Sequence, residues 1–187
     1  DILLCRTERH MTREQQDKIS LFCNVDRNAV IEAIDVKSIY EVPLAFEKQG
    51  LDDLIFRKLK IKREAKGLAH WKDYVVKRAK HPTKEVKISV VGKYITLTDS
   101  YKSIYEEFTH GGISNDAKVI VNKIDSEDLE KAKDVGKLLG DSDGILIPGG
   151  FGKRGIEGKI KAVKFAREND IPFFGICLGM QVATVEF

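Results

Sequence analysis

Short apolar runs alternate with amphipathic segments along the second half of the chain. The apolar runs predict four strands, at Val86–Val91, Lys118–Ile124, Gly144–Ile147 and Pro172–Ile176. Apolar residues at helical spacing predict helices between and after these strands, at about Ser100–Thr109, Glu127–Leu139, Glu157–Glu168 and from Leu178 onward. Strands that alternate with helices in this way are typical of a parallel α/β sheet with helices on both faces.

The first half carries a less regular version of the same pattern. Its predicted elements are strands at Ile2–Cys5 and Val30–Ile34 and helices from Thr12 to about Phe22, at Tyr40–Gln49 and at Asp52–Leu59. Thr12 and Gln15 have the spacing of a capping box, which favours a helix start at that point. Gly50 separates the last two helices, because glycine is a common helix terminator.

A strongly basic segment joins the two halves. Residues 57–87 contain twelve Lys or Arg and three Asp or Glu. Within it, apolar residues at helical spacing predict one amphipathic helix from Glu64 to Ala79 with a solvated basic face. A solvent-exposed linker helix is the usual meaning of such a pattern, and a binding surface is the alternative. Pro82 stops the helix before the next strand, so we place the domain boundary near residue 82.

Composition narrows the class of protein. The 187 residues carry 42% hydrophobic side chains and a formal charge of +3, which suits a real core and gives no sign of a nucleic-acid binder. No apolar run has the roughly 18 residues of a membrane span, and the first residues do not resemble a signal peptide. The cysteines Cys5, Cys23 and Cys177 are odd in number and lack CxxC spacing. We therefore expect no disulfide framework, no zinc site and a reducing, cytoplasmic location.

Cys177 lies where an apolar strand is predicted to turn into a helix. Gly175 and Gly179 stand two residues before and after it, which is the spacing of a nucleophile elbow with cysteine in place of serine. Such a turn holds the nucleophile in a strained conformation, and the positive end of the following helix favours a thiolate. The Leu178 N–H can also help to hold an oxyanion. An ordinary buried cysteine is the alternative interpretation.

A glycine-rich loop follows the predicted strand Gly144–Ile147. Five of the fifteen glycines fall between Gly149 and Gly158, so backbone N–H groups are free to converge on an anion. A phosphate-binding loop is the rival interpretation, but the segment has neither the Walker pattern nor a G-x-G-x-x-G after a strand. An oxyanion loop that faces the cysteine elbow fits the pattern better.

These motifs resemble those of known families. GICLGMQ around Cys177 resembles the nucleophile motif of class I glutamine amidotransferases. Other segments resemble motifs of the CTP synthase family. They are PGGFGKRGIEG at 148–158, VGKY followed by DSYKS at 91–103, and the N-terminal CRTERH, DKISLFCNV and IYEVPLAFEKQGLDD. The resemblance covers essentially the whole chain. It implies the end of a nucleotide-binding α/β synthetase (amidoligase) domain at 1–55, an interdomain linker at 56–85, and the first half of a parallel-sheet class I glutaminase domain at 86–187.

The resemblance implies a glutaminase mechanism. The Cys177 thiolate would attack the side-chain amide of L-glutamine, form a glutamyl thioester and release ammonia. The N–H groups of Gly150 and Leu178 would hold the oxyanion. The glutamine pocket would be lined by the residues that follow the nucleophile, Leu178, Gly179, Met180 and Gln181.

The same resemblance implies synthetase chemistry. ATP would phosphorylate O4 of UTP, and ammonia would displace that phosphate to give CTP. Lys18 matches a lysine that contacts the pyrimidine nucleotide, and Ile34, Asp35 and Val36 match the segment against the ATP adenine. Since Ile34 replaces the commoner lysine, only backbone contacts are expected there. Arg154 matches the region where GTP, the allosteric activator, would bind. Without the resemblance, Lys18 and Arg154 would be interpreted as solvated surface charges.

Some parts of such an enzyme are expected outside this chain. A cysteine amidase needs a base, usually a histidine oriented by a carboxylate. All four histidines, His10, His70, His81 and His110, precede Cys177, and His110 is expected to end a helix because two glycines follow it. The Mg²⁺ carboxylates are also expected elsewhere. The chain is therefore expected to be an inactive piece of a larger enzyme, a homotetramer when complete, without nucleic-acid or membrane partners.

Two other function classes stay open. The first is a different glutamine amidotransferase or a cysteine-peptidase relative, which would leave PGGFG and the first half of the chain unexplained. The second is a non-catalytic α/β interaction module with a vestigial elbow, in which Cys177 would react no faster than Cys5 or Cys23.

Overall fold

Two parallel sheets organise the protein. The computed structural model describes residues 1–62, 67–97 and 99–187. The chain divides into two compact units, Asp1–Lys80 and His81–Phe187. This division lies beside Pro82, whereas the predicted limit between residues 55 and 56 falls inside a helix. The functional assignment of the three predicted segments stays a prediction.

The first unit is a two-stranded parallel sheet with helices. Its elements are β1 (Leu3–Thr7), α1 (Arg13–Cys23), β2 (Val30–Ile34), α2 (Val42–Lys48), α3 (Leu51–Leu59), a π-helical turn (Trp71–Val76) and α4 (Lys77–Lys80). Leu3 of β1 lies opposite Val30 of β2. A small core forms where β2 meets the following helices, and its buried members are Ala29, Ile31, Leu51 and Leu54.

Local signals in the first unit act as the sequence predicts. The Thr12 hydroxyl accepts from the Gln15 N–H at 3.3 Å, and the Gln15 side chain accepts from the Thr12 N–H at 2.8 Å. This reciprocal pair is the predicted capping box, and it starts α1. Gly50 has φ +73°, a conformation that suits glycine, and it separates α2 from α3.

The predicted linker helix packs against the first unit instead of standing free in solvent. Residues 63–66, where its start was predicted, lie outside the described residues. In the described part, the Trp71 indole N–H donates to the Tyr40 carbonyl oxygen at 2.7 Å, and Val76 is buried. The helix is therefore anchored by side chains from its apolar face.

The second unit is a four-stranded parallel sheet covered by helices. Its elements are β3 (Lys84–Gly92), α5 (Lys102–Asn115), β4 (Ala117–Asp125), α6 (Ser126–Lys131), α7 (Gly136–Leu139), β5 (Gly144–Ile147), α8 (Ile156–Glu168), β6 (Phe173–Gly175) and α9 (Leu178–Glu186). The strand order is β4-β3-β5-β6 and all pairs are parallel. The carboxyl ends of the strands therefore meet at one edge of the sheet, where the glycine loop and Cys177 follow β5 and β6.

Both faces of this sheet are covered where it is central. Val90 and Val91 point to opposite faces of β3, and both have 0% exposure. The larger core contains Ile145, Ile147 and Val163 among its buried members, so α8 packs on one face of the sheet. The predicted parallel α/β architecture is confirmed.

Two predicted helix limits in the second unit are wrong. Helix α5 does not end at His110 but continues to Asn115. A Cβ on Gly112 would lie 2.4 Å from the Ala117 carbonyl oxygen, so this glycine permits close packing on β4 and does not terminate the helix. The predicted helix 127–139 is two helices, α6 and α7, because the backbone is extended at Ala132.

Candidate active site

Cys177 occupies a strained turn between β6 and α9. Its backbone has φ 51° and ψ −103°, which is an unfavourable conformation for any residue with a Cβ. Cys177 is an exposed residue with a free thiol, and that thiol forms no hydrogen bond within the residues that the structure describes. The predicted elbow conformation is therefore present at the end of β6, with the sulfur accessible from solvent.

The two glycines of the elbow are required by space. A Cβ on Gly175 would lie 2.4 Å from the Gly179 carbonyl carbon, and a Cβ on Gly179 would lie 2.1 Å from the Ile147 carbonyl oxygen. Both distances are far below van der Waals contact, so larger residues would push the start of α9 away from β5 and β6. The glycines thus hold the strand and helix close enough to form the turn at Cys177.

The glycine loop after β5 lies against this elbow. A Cβ on Gly149 would stand 3.7 Å from the Cys177 Cβ, and a Cβ on Gly150 would stand 3.6 Å from the Leu178 side chain. Gly150, Cys177 and Leu178 are therefore neighbours, although they come from two different strand ends. The absence of side chains at Gly149 and Gly150 leaves the loop backbone facing the elbow.

A tyrosine and a lysine fasten this loop to the end of β3. The Tyr101 hydroxyl accepts hydrogen bonds from the N–H groups of Lys93 and Tyr94 at 3.2 and 3.3 Å. A Cβ on Gly92 would lie 2.7 Å from the Tyr101 ring, so this glycine leaves room for the tyrosine. The Lys93 ammonium in turn donates to the Phe151 carbonyl oxygen of the glycine loop. These contacts give a structural reason for the spacing between VGKY and DSY. The sequence showed only that both motifs resemble those of a known family.

Lys159 is a site residue that the sequence did not reveal. It lies on α8 behind the glycine loop, has 0% exposure, and its ammonium nitrogen has no hydrogen-bond partner among the described residues. Burial, reinforced by the nearby Lys93 charge, lowers the pKa of the Lys159 ammonium, and Asp125 opposes this effect. In the sequence, this lysine stands in the same helix as the partly buried Lys161 and the exposed Lys164, so its burial leaves no local signal.

Three other predicted site residues, Met180, Gln181 and Arg154, lie at the protein surface. Met180 is 59% exposed and Gln181 is also exposed, both in the first turn of α9. Arg154, in the glycine loop, pairs with the Glu127 carboxylate of α6. Arg154 therefore has a partner on the protein and is not a free surface charge.

In the first unit, the predicted adenine segment lines a cleft. Ile34, Asp35 and Val36 border a cavity of about 480 Å³, whose other walls are mostly apolar: Ala33, Ile39, Val42, Ala45 and Phe46, with Arg6 at the border. The Arg6 guanidinium pairs with the Asp35 carboxylate at 3.2 Å. Lys18 does not line this cleft; it lies exposed on α1 and pairs with Glu14 at 2.8 Å.

The described residues contain neither a metal-ligand cluster nor a membrane-spanning helix. No group of three or more His, Cys, Asp or Glu side chains is arranged to hold a metal ion. No helix in the same ranges combines the length and apolar character needed to cross a membrane.

Comparison with known proteins identifies both halves of the chain. Residues 96–187 match the family model of class-I glutamine amidotransferases, so the unit that carries Cys177 is part of such a domain. Residues 1–61 match the model of the CTP synthase N-terminus. The chain is 54% identical to a CTP synthase of Geobacter metallireducens and 50% identical to one of Carboxydothermus hydrogenoformans. Each of these matches spans 100% of this chain and 35% of the relative.

A solved structure agrees with this result. The glutaminase domain of Trypanosoma brucei CTPS with bound acivicin matches with 45% identity and a TM-score of 0.51, over 54% of this chain and 39% of that chain. The chain is therefore similar to CTP synthases along its whole length, and it spans about a third of the length of these curated relatives (35%).

Proposed function

We propose that the full-length protein containing this chain is a glutamine-hydrolysing CTP synthase. It would use ATP to activate UTP and would aminate it with ammonia from L-glutamine. The observation that carries this proposal is the strained backbone of Cys177 beside the side-chain-free loop at Gly149 and Gly150. That geometry suits attack on a carbonyl carbon next to a row of backbone N–H groups.

In the proposed glutaminase reaction, the Cys177 thiolate attacks the side-chain carbonyl carbon of glutamine. The N–H groups of Gly150 and Leu178 stabilise the negative charge on the former carbonyl oxygen. The carbon–nitrogen bond then breaks as the nitrogen takes up a proton and leaves as ammonia. Water hydrolyses the remaining thioester to glutamate and restores the thiol. Leu178, Gly179, Met180 and Gln181 would border the glutamine, because they begin the helix that follows the nucleophile.

In the proposed synthetase reaction, the apolar cleft in the first unit holds the adenine of ATP against Ile34, Asp35 and Val36. ATP phosphorylates O4 of UTP, and ammonia attacks C4 and expels phosphate. Lys18 would contact the pyrimidine nucleotide. The Mg²⁺ that accompanies ATP would be bound outside the described residues, since they contain no suitable ligand cluster.

Regulation and assembly follow from the same proposal. GTP would bind as an allosteric activator at the glycine loop, where Arg154 can exchange its present partner Glu127 for a phosphate. The complete enzyme would be a homotetramer in the cytoplasm, with small molecules and no nucleic acid or membrane as partners.

The nucleophile can be tested by comparing thiols. In the full-length protein, acivicin should label Cys177 much faster than Cys23, which is also exposed and so controls for access. Peptide mapping after brief labelling gives the relative rates. Cys177→Ala should abolish CTP formation from glutamine, a loss of several orders of magnitude, and should spare CTP formation from added ammonia.

Two results would contradict the proposal. Equal labelling of Cys177 and Cys23 would show that the elbow does not activate its cysteine. Loss of the ammonia-dependent reaction in Cys177→Ala, with the glutamine-dependent one, would show that Cys177 has a structural role.

A further inference from the structure

The Lys159 ammonium is buried without a directly bonded partner in the described part of the chain. The side chain has 0% exposure and its nitrogen has neither a hydrogen bond nor an ion pair among the described residues. Withdrawing a cation from water is unfavourable unless a partner replaces the lost hydration. A neutral side chain of the same shape would fold more easily, so the charge calls for an explanation beyond packing.

The position of this nitrogen points to the glycine loop. A Cβ on Gly150 would lie 3.5 Å from the Lys159 Nζ, and the other near neighbour of that Cβ is the Leu178 side chain, at 3.6 Å. The proposed oxyanion donors, the N–H groups of Gly150 and Leu178, thus belong to residues next to the buried ammonium. Lys159 approaches this loop from the protein interior, whereas the Cys177 thiol is exposed.

Peptide geometry connects the two sides of the loop. The N–H of Gly150 and the C=O of Gly149 belong to one planar peptide and point in opposite directions. When the Gly150 N–H turns outward to meet an oxyanion beside Cys177, the Gly149 carbonyl oxygen must turn inward. The inward side is where the Lys159 ammonium lies without a partner.

We propose that Lys159 is a positioning residue for glutamine hydrolysis: its ammonium donates a hydrogen bond to the Gly149 carbonyl oxygen when substrate is bound, and so aims the Gly150 N–H at the oxyanion. The inference rests on the proposed glutaminase function. A charged donor suits this task because charge-assisted hydrogen bonds are stronger than neutral ones. The same charge, shielded from water, also favours the negative oxygen that forms on the other side of the peptide.

The contribution of Lys159 differs from that of Lys93. The Lys93 ammonium already donates to the Phe151 carbonyl oxygen in the structure, so it fastens the loop without any turn of the Gly149–Gly150 peptide. The Lys159 ammonium has no such bond and becomes satisfied only when the loop peptide turns. An interaction formed on the way to the transition state raises kcat more than it lowers KM.

The test is Lys159→Met in the full-length enzyme, with Lys164→Met as the matched control. Methionine keeps the shape of the buried side chain and removes its charge, and Lys164 lies on the exposed side of the same helix. We expect kcat for ammonia release from glutamine to fall about tenfold or more in Lys159→Met, with KM changed less than about threefold. The Tm should stay the same or rise, because an unpartnered buried charge is lost. Lys164→Met should behave like the wild type.

A second measurement separates the loop from the thiol. Alkylation of Cys177 by iodoacetamide displaces iodide and creates no oxyanion, so its rate should change less than about twofold in Lys159→Met. CTP formation from added ammonia should also be unchanged. This combination, a lower kcat with an intact thiol and a stable fold, is not expected from a residue with only a structural role.

Each other outcome overturns the inference. A kcat equal to that of the wild type shows that Lys159 does not position the loop. A parallel fall in Tm, alkylation rate and kcat, or failure of Lys159→Met to fold, assigns Lys159 a structural role. If the wild type itself releases no Cys177-dependent ammonia, the proposed function fails and this inference fails with it. A wild type that is active only with Cys177, together with a fully active Lys159→Met, overturns the inference alone.

Discussion

The strained backbone of Cys177 is a feature that the local sequence predicts. Its conformation costs about 1–3 kcal/mol, and such strain persists only where the surroundings impose it. Here the surroundings are two glycines, and the sequence displays both at fixed spacing from the cysteine. The elbow was predictable for that reason: both glycines that its turn requires lie two positions from Cys177.

Lys159 illustrates the opposite case. Its neighbour Lys93 is far from it in the sequence and comes close because β3 and β5 pair in the sheet, and the loop after β5 folds back to bring Gly150 beside it. A lysine in an amphipathic helix is ordinarily solvated, so local pattern assigns this residue to the surface. Burial of a charged side chain is a property of the assembled fold, and the sequence alone could not supply it.

Glu32 leads to a prediction at the scale of one titratable group. Its carboxylate accepts from the His10 ring nitrogen at 2.8 Å and from the Met11 N–H at 2.7 Å. The His10 hydrogen bond, helped by that of Met11, lowers the pKa of the Glu32 carboxyl below its ordinary 4.5, although burial opposes the shift. A carboxyl with a lowered pKa stabilises the folded state above its ordinary pKa, and this stabilisation is lost as the pH falls through the folded-state pKa.

We therefore expect Glu32→Gln to reduce the local stability of β2 by about 1 kcal/mol near pH 6. The difference from the wild type should shrink below about pH 4.5, where the wild-type carboxylate becomes protonated. Hydrogen exchange of a peptide covering Val30–Ile34, corrected for the intrinsic effect of pH, measures it in the full-length protein. A difference that does not vary with pH would show that the charge of Glu32 is unimportant.

At the scale of elements, α9 can approach β5 because Gly179 has no side chain. The closest atom to an added Cβ would be the Ile147 carbonyl oxygen, at 2.1 Å, and a backbone atom inside a sheet cannot move away cheaply. We expect Gly179→Ala to destabilise the full-length protein by about 1–3 kcal/mol and to reduce glutamine-dependent activity, because α9 carries the proposed Leu178 donor. Thermal unfolding and ammonia release measure the two effects.

Gly111→Ala is the control for that substitution. Gly111 lies within α5, and an added Cβ would meet no atom within 4 Å. Alanine is the better helix former, so this variant should gain about 0.5–1 kcal/mol of stability. If both variants behave alike, space at Gly179 is not what limits the elbow.

Element limits show why local pattern is insufficient at the same scale. The two glycines after His110 predicted a helix end, but α5 passes through them because Gly112 permits contact with the start of β4. The strands were predicted closely, since each contains a run of apolar residues. A glycine does not by itself predict a helix end. Gly50 separates two helices, whereas Gly112 and Gly158 lie inside helices and let neighbouring elements pack closely.

At the scale of the whole molecule, the chain contains parts of two proposed active sites. The first unit has an apolar cleft beside Asp35, and the second has the proposed nucleophile Cys177 in a strained turn beside the glycine loop. Each of these two sites lacks one expected group among the described residues. The Cys177 thiol has no hydrogen-bond partner there, and no metal-binding cluster accompanies the cleft.

We therefore expect the 187-residue chain on its own to release no ammonia from glutamine above the background of its Cys177→Ala variant. A thiol attack on an amide needs a base to take the thiol proton and deliver one to the leaving nitrogen. Removing one member of such a catalytic unit costs several orders of magnitude, because the remaining members cannot make those transfers. The open surroundings add to this loss: Met180 is 59% exposed and Phe174 is 64% exposed, so water would surround a bound glutamine.

Ammonia release by the purified chain is the measurement, with the full-length enzyme as positive control. Turnover that disappears in Cys177→Ala would show that a base acts within these residues, and His81 and His110 of the second unit would then be the side chains to replace first.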